Sequence, residues 1–255
     1  MSRLFEATVI DNISISSFIK IISVRPLSEM IIPEAGQFFM LQPGRTYDPL
    51  LKRPFSLFRY QNGILQFLYR IRGKGTVCMA DMQAGDVVQI LGPLGNVYPS
   101  PAGDFIAVSG GIGIASLFSL LEKYPNKAYL FYGARNCSEL LMLDEAKALA
   151  KEVCITTDDG TVCRKGLITE PLKEHIESAV FTKKPLPIYT CGPTPMLKEI
   201  ARILNGSELT CSASLEEVMA CGVGACLGCV VKTTSGYKRV CKEGPVFDIK
   251  DIMWE

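Results

Sequence analysis

FIAVSGGIGIASLFSLL, running from Phe105 to Leu121, is the most apolar stretch of this 255-residue chain and the one that decides its fold. It is shorter than the ~20 residues a bilayer span needs, and Gly110, Gly111 and Gly113 interrupt it. A buried strand passing through a tight glycine turn into a helix accounts for it better than a membrane segment. The same rhythm continues downstream. AYLFYGA, VCITTD and PIYTCG read as short buried strands, and IASLFSLLEKY, ELLMLDEAKALAKE, LITEPLKEHIES and TPMLKEIARIL as the helices between and after them. Strand–helix alternation predicts a parallel sheet with helices on both faces. Upstream, FEATVID, FIKIISV and GQFFMLQ are rich in β-branched and aromatic residues and bounded by Gly, Pro and Asn. Asn62-Gly63, between FSLFRY and ILQFLYR, predicts a type I′ hairpin, a turn that needs φ > 0 at both positions. Many short strands with turn signals predict an antiparallel barrel or sandwich. Past Leu209 the alternation stops and a cysteine-rich tail begins. The expected division is an antiparallel β-barrel over 1–100, a Rossmann-like parallel α/β unit over 101–208 and a small cysteine-rich unit over 209–255.

Net charge is +1 with acids and bases interspersed, which points away from nucleic acid and from an anionic membrane surface. No charged, apolar and small-residue sequence of the secretory type opens the chain, so the expectation is a cytoplasmic protein with reduced thiols. Its ten cysteines are then not a disulfide framework. Mean hydropathy is high, at +0.22, as a large buried partner interface would require. The one histidine, His175, rules out a Rieske centre and an H-E-x-x-H zinc hydrolase, which need two. Within LKEHIES it is expected on a solvated helical face.

In MACGVGACLGCVVKTTSGYKRVC, residues 219–241, Cys221, Cys226, Cys229 and Cys241 are separated by four, two and eleven residues. The first two gaps reproduce the plant-type ferredoxin spacing with a more distant fourth ligand, and point to a 2Fe–2S cluster. Gly222, Gly224 and Gly228 let the chain curl closely around the sulfides. A four-cysteine zinc knot is the competing reading, although such knots usually pair two short C-x2-C elements. Cys78, Cys137, Cys154, Cys163, Cys191 and Cys211 are expected to be small buried hydrophobes, with Cys191 also a candidate contact.

Three further motifs carry chemistry. Arg53-Pro54-Phe55-Ser56 places an arginine fork suited to a pyrophosphate three residues before a hydroxyl suited to a flavin ring; its bland counterpart is an edge strand with a surface arginine. Arg70-Ile71-Arg72-Gly73-Lys74-Gly75-Thr76 reads equally as a phosphate-binding entry to a helix or as a basic turn. Ser109 to Gly113 approximates a dinucleotide loop, with Ser116 in the last glycine's place. No acidic residue closes the following strand, where Gly133, Ala134 and Arg135 stand, so the usual ribose contact is missing. Arg135 leaves a 2′-phosphate open. Cys191-Gly192-Pro193 ends a later strand and borders the same crevice, because ligands of open α/β sheets bind at the carboxyl ends of strands. A soft thiol there fits against a nicotinamide ring; a buried cysteine before a Pro-started helix is the alternative.

In this order the motifs resemble the ferredoxin–NADP reductase superfamily, and SLEEVMACGVGACLGC with VCKEGPVF looks like the electron-transfer subunits of two-subunit, NAD-dependent dihydroorotate dehydrogenases. The resemblance spans essentially the whole chain. It implies that Arg53, Pro54, Phe55 and Ser56 hold FAD, that Arg70, Ile71 and Arg72 line the flavin, and that Gly75 and Thr76 meet its phosphates. Gly110, Gly111, Gly113, Cys191, Gly192 and Pro193 would face NAD(H), and the four tail cysteines would ligate the 2Fe–2S cluster. Thr233 and Gly224 are expected to tune that cluster. The implied partner is an FMN-containing catalytic subunit, in an α2β2 heterotetramer, that oxidises dihydroorotate to orotate in pyrimidine biosynthesis. The rival assignments are an electron-transfer subunit of a sulfhydrogenase or of an NADH-dependent ferredoxin–NADP reductase, and, outside the enzymes, a zinc-stabilised or redox-sensing binding module. One departure stands in TDDGTVCRKG, where the family pattern has glycine at Cys163.

Overall fold

The structure, a computed structural model, describes residues 3–44, 48–178 and 185–254. The N-terminal part is a seven-stranded antiparallel sheet of β1 (Arg3–Ser14), β2 (Ile19–Pro26), β3 (Phe38–Leu41), β4 (Arg53–Ser56), β5 (Arg59–Gln61), β6 (Ile64–Arg70) and β7 (Val87–Leu94), in the order β4-β3-β7-β1-β2-β6-β5. Its alternating apolar residues turn inward, and Phe39, Leu41, Leu65, Phe67 and Ile90 are fully buried. The sheet curls until β4 comes over β6, where the rings of Phe55 and Tyr69 meet edge-on at 5.8 Å. Asn62 and Gly63 both have positive φ, +52° and +75°, as the type I′ turn requires. After β6 the chain makes the short helix α1 (Lys74–Ala80), whose Met79 plugs the barrel core.

The second sheet runs β11-β10-β9-β8-β12-β13-β16, with β8 (Phe105–Gly110), β9 (Ala128–Ala134), β10 (Glu152–Thr157), β11 (Arg164–Lys165), β12 (Ile188–Cys191), β13 (Cys211–Ser214) and β16 (Val246–Asp248). All its pairings are parallel except β13–β16. Helices α2 (Ile114–Lys123), α3 (Leu143–Leu149), α4 (Thr169–Glu177) and α5 (Thr194–Ile203) pack against it. Strand order reverses between β8 and β12, so a crevice opens at their carboxyl ends. The sheet extends past Leu209. β13 and β16 complete its edge, and only the hairpin β14 (Val230–Thr233) and β15 (Gly236–Arg239), with the cysteine loop before it, stands outside.

Several expectations change on contact with the packing. The helix read over 139–152 starts only at Leu143, after a 3₁₀ turn over Cys137–Glu139 and a left-handed Met142. The buried Tyr132 hydroxyl is the cause. It accepts the Leu141 N–H at 2.8 Å and donates to the Gly111 and Leu141 carbonyls at 3.1 and 3.2 Å, taking backbone groups a helix would use. His175 is not on a solvated face: it is half-buried, its ring 5.3 Å from Phe131 and 6.0 Å from Tyr129. Cys191 and Cys211 are buried as expected, whereas Cys137 and Cys163 are exposed because both lie in turns at the carboxyl edge of the sheet. Cys163 has φ +55°, a left-handed conformation that the expected glycine would adopt with less strain. No helix among the described residues is long and apolar enough to cross a membrane.

Phe39 is a fully enclosed ring of the barrel, edge-on to Phe67 at 5.4 Å and packed where a Cβ on Gly92 would stand. Phe39→Ala is expected to lower the unfolding free energy by about 3–5 kcal/mol, read as a reduced denaturant midpoint at unchanged slope.

Candidate functional site

The carboxyl ends of β8 and β12 face the open side of the barrel, and between the two halves lies a cleft of about 1100 Å³. From the barrel, Arg53 to Ser56, Arg70, Arg72 and Thr76 line it; from the sheet, Gly110, Gly111, Gly113 and Cys191 to Pro193. Thirteen of the fifteen cofactor residues read from the sequence therefore share one space. Ile71 does not. Its side chain packs against the barrel core and its N–H bonds the Phe18 carbonyl at 2.8 Å. Gly75 is buried beneath the Arg53 guanidinium, whose Nε occupies the place a Cβ would take, 2.6 Å away.

That contact joins the first two motifs. Arg53 donates from Nη1 to the Leu51 carbonyl at 2.5 Å and lies over Gly75. The turn below is held by Thr76, whose hydroxyl accepts the Arg72 and Gly73 N–H groups at 2.8 and 3.1 Å. Thr76 thus locks the basic loop while still facing the cleft. Together they make an anion cradle with an arginine fork above it, which fits a pyrophosphate.

On the sheet side the glycines serve different ends. A Cβ on Gly113 would stand 2.3 Å from the Cys191 carbonyl oxygen, and one on Gly110 would meet Pro193 at 2.6 Å. A Cβ on Gly192 would lie 3.0 Å from the Gly110 nitrogen. These three glycines let the loops after β8 and β12 interlock. Gly111 alone has φ +52° and open space in front, its nearest neighbour being the Glu139 carboxylate at 3.9 Å. Ser116, in the last glycine's place, is buried with its hydroxyl 3.1 Å from that of Tyr98. Burial also pushes the Cys191 thiol well up, reinforced by the Glu216 charge, so Cys191 is a neutral, polarizable wall and not a nucleophile.

Sequence reading missed two carboxylates. Glu139 reaches across the cleft to Arg70, Oε1 to Nη1 3.3 Å, linking the flavin-side strand to the nucleotide-side turn. Glu216 lines the cleft from the segment that leads to the cysteines, open to its solvent but crowded by protein, and this burial raises its carboxyl above the ordinary value. The adjacent acids in SLEEV were the one available signal.

The cysteine loop follows five residues on. Gly222 and Gly224 are left-handed, φ +71° and +83°, and Leu227 shares that conformation at +58°. Gly228 is not left-handed; its missing side chain leaves room for the Cys226 sulfur, 3.6 Å from where its Cβ would be. The thiols fall into two neighbouring pairs, Cys221 beside Cys226 and Cys229 beside Cys241, whose N–H donates to the Cys229 Sγ at 3.4 Å. Two pairs are the donor set of a two-iron core, two thiolates per iron, and the residues fit such a cluster better than one zinc ion. Burial pushes the Cys221 thiol up, but the Val223, Cys226 and Ala225 N–H groups more than offset it and bring it down to about 6. Cys241 is pushed up to about 12 by burial and by Cys229 beside it. Thr233, expected near the cluster, is at the far end of the hairpin and donates to the Gly236 carbonyl at 2.6 Å. Gly224 is close: its carbonyl accepts from Arg239 at 2.9 Å, and Glu243 holds that arginine. The loop is pressed on the barrel, where a Cβ on Gly222 would meet the Met40 Cγ at 2.7 Å, and Met40 pairs in register with Pro54.

A curled antiparallel sheet and a parallel α/β sheet sharing one cofactor cleft define the ferredoxin reductase class of oxidoreductases. The solved NADH-dependent reduced ferredoxin–NADP oxidoreductase has this fold, with TM-score 0.85 at 23% identity over 97% of this chain and 90% of that one. The ferredoxin reductase of carbazole 1,9a-dioxygenase has it at TM-score 0.65 and 18% identity, over 82% and 67%. Residues 107–202 match the oxidoreductase NAD-binding domain, and residues 216–253 the iron–sulfur cluster binding domain of dihydroorotate dehydrogenase B. The dihydroorotate dehydrogenase B (NAD(+)) electron transfer subunit of Desulforamulus reducens is 35% identical over 100% of both chains. That of Caldanaerobacter subterraneus is 38% identical over 87% of this chain and 88% of its own length. The chain belongs to the family of electron transfer subunits of dihydroorotate dehydrogenase B (NAD(+)). Its redox groups are NAD(H), FAD and a 2Fe–2S cluster.

Cys226 is the exposed thiol of the four. Cys226→Ser is expected to abolish the iron–sulfur absorption and halve the bound iron or worse, while FAD stays bound on the barrel side. Full iron content and an unchanged visible spectrum would reject the ligand set.

Proposed function

We propose that FAD lies along the barrel wall of the cleft, that NADH enters from the sheet side, and that electrons leave through the cysteine loop to an FMN-containing catalytic subunit that oxidises dihydroorotate to orotate. The observation that carries this reading is the continuity of the three sites. Arg53 to Ser56 and the glycine loop line one cleft, and Gly222 of the cysteine loop sits on Met40, the register partner of Pro54. FAD, when bound, accepts the two electrons of a hydride together and releases them singly, which matches NADH to a one-electron cluster.

The residues of this chain bind and orient. Arg53 and the turn locked by Thr76 hold the pyrophosphate, Pro54 to Ser56 with Arg70 and Arg72 flank the flavin, and Glu139 keeps Arg70 facing the cleft. Gly111 leaves room for the dinucleotide, and Gly110, Gly113, Gly192 and Pro193 keep its two loops together. The Cys191 thiol, protonated at all working pH values, supplies an uncharged face. The chain divides into a flavin unit to about residue 100, a nucleotide unit over 101–208 and a cluster unit from 209, whose β13 and β16 complete the middle sheet. Around Cys226 the surface is apolar, with Val223, Leu227, Val230 and Tyr237 all exposed, and the catalytic subunit docks there. The assembly is an α2β2 heterotetramer in the cytoplasm. The match of residues 216–253 to the dihydroorotate dehydrogenase B cluster domain favours this over a sulfhydrogenase or ferredoxin–NADP reductase assignment.

The raised carboxyl of the cleft, Glu216, stands on the nicotinamide side at the segment leading to the cysteines. The one histidine is tucked against Phe131 and Tyr129 outside the cleft, so proton removal from a carbon acid falls to the partner. The isolated chain is therefore expected to reduce an artificial dye with NADH but not with dihydroorotate. Appreciable orotate formation by this chain alone would overturn the assignment of that chemistry to a partner. Separately, Arg53→Ala removes a charge-assisted fork worth about 1.5–3 kcal/mol, and purified protein is expected to lose FAD on dilution. Full flavin occupancy after extensive dilution would contradict the placement of FAD.

A further inference from the structure

Flavin and nicotinamide sites stand on different halves of the molecule, and misplacement of reacting groups by 1 Å can cost about 10²-fold in rate. Something must therefore fix one half against the other. Three residues after Ser56, Arg59 begins β5, and its guanidinium leaves the barrel for the nucleotide half. Nε bonds Glu122 Oε1 at 2.5 Å, Nη2 bonds Glu145 Oε2 at 2.6 Å, and Nη1 reaches Gln66 Oε1 at 3.4 Å. Its carbon lies 5.2 Å over the Phe58 ring and 5.1 Å over the Phe118 ring, and those rings are themselves 4.6 Å apart. Gln61 donates to the same Glu122 oxygen at 3.2 Å.

The partners are what give this cluster a meaning. Glu122 and Phe118 are on α2, the helix that grows directly from Gly111–Gly113. Glu145 is on α3, which follows the turn carrying Glu139. One arginine thus ties both elements of the nucleotide side to a point three residues from the flavin strand. The neighbouring pair Lys123–Glu34, 3.2 Å, also crosses between the halves, but both side chains are about half exposed and such pairs are worth little. Arg59 is only 19% exposed, set against the packed Phe58–Phe118 ring pair and shared by two carboxylates. Burial alone would lower it; the two glutamates raise it, so the guanidinium stays charged.

We propose that Arg59 is a positioning residue for hydride transfer, a clamp that sets the nucleotide half at the spacing the flavin half requires. Among the described residues it does not line the cleft. The proposal rests on the assignment of the cleft to FAD and NADH.

The test is stopped-flow reduction of the flavin by NADH in the full chain carrying FAD and cluster. Arg59→Ala is expected to slow the reduction step by about tenfold or more, with FAD content and cluster absorption unchanged and the NADH concentration dependence altered far less. The deuterium isotope effect with 4-deuterated NADH should rise, Arg59→Lys should recover part of the rate, and Arg59→Ala combined with Glu122→Ala should be no slower than Arg59→Ala alone. If Arg59→Ala does not fold, the double variant Glu122→Ala, Glu145→Ala removes the two carboxylate bonds and leaves the Phe58 and Phe118 contacts in place. An unchanged reduction rate, or a loss that merely follows lost FAD, overturns the clamp. Failure of NADH to reduce the wild-type flavin overturns the functional assignment instead, and the clamp with it.

Discussion

The contact between Gly222 and Met40 turns three sites into one device. A cysteine loop that must surround an iron–sulfur core has no reason of its own to lie on the barrel. It does so here because Gly222 adopts φ +71° and leaves its side-chain space to Met40, where any Cβ would come within 2.7 Å. Met40 is in the strand paired with the flavin motif. One-electron transfer falls off with distance, and this packing keeps the exit site beside the entry site without a dedicated linker.

The same use of missing side chains recurs at the nucleotide loop. Gly110, Gly113 and Gly192 let two loops close on each other, while Gly111 is the one that faces open space. Bulk is concentrated instead where the halves meet, in the Phe58–Phe118 pair and the arginine set against it. Polar groups in the cleft are largely committed. Thr76 holds the backbone of its own turn, Ser116 meets the Tyr98 hydroxyl, and Glu139 and Arg70 span the opening. Glu216 is a crowded carboxyl on the segment that leads to the cysteines. A site that moves electrons and a hydride needs rigid placement more than it needs a titrating base.

Much of this was legible locally. Asn62-Gly63 encodes its own turn, the strand–glycine–helix run from Phe105 encodes the nucleotide entry, and the 4–2–11 spacing encodes the cluster loop, because each depends on a short window of sequence. What escaped depends on distant partners. β13 is the four-residue CSAS, with no β-branched residue, and becomes a strand only through pairing with β12. The helix after β9 begins late because Tyr132, eleven residues before its start, captures the backbone of Leu141. His175 is shielded by two rings on a neighbouring strand. Arg59 reads as an ordinary strand residue, and its two glutamates lie 63 and 86 positions away. Gly75 illustrates the middle case, a residue read for its place beside a phosphate whose contact with the Arg53 guanidinium no local pattern shows.

The most direct measurement of the central claim is an anaerobic titration of the full chain, loaded with FAD and cluster, with NADH, followed by visible absorbance and low-temperature electron paramagnetic resonance. The account predicts loss of flavin absorbance together with a reduced 2Fe–2S signal, the electrons of one NADH divided between the two groups. Flavin reduction with a cluster that stays oxidised at every NADH level, although dithionite reduces it, would contradict the account.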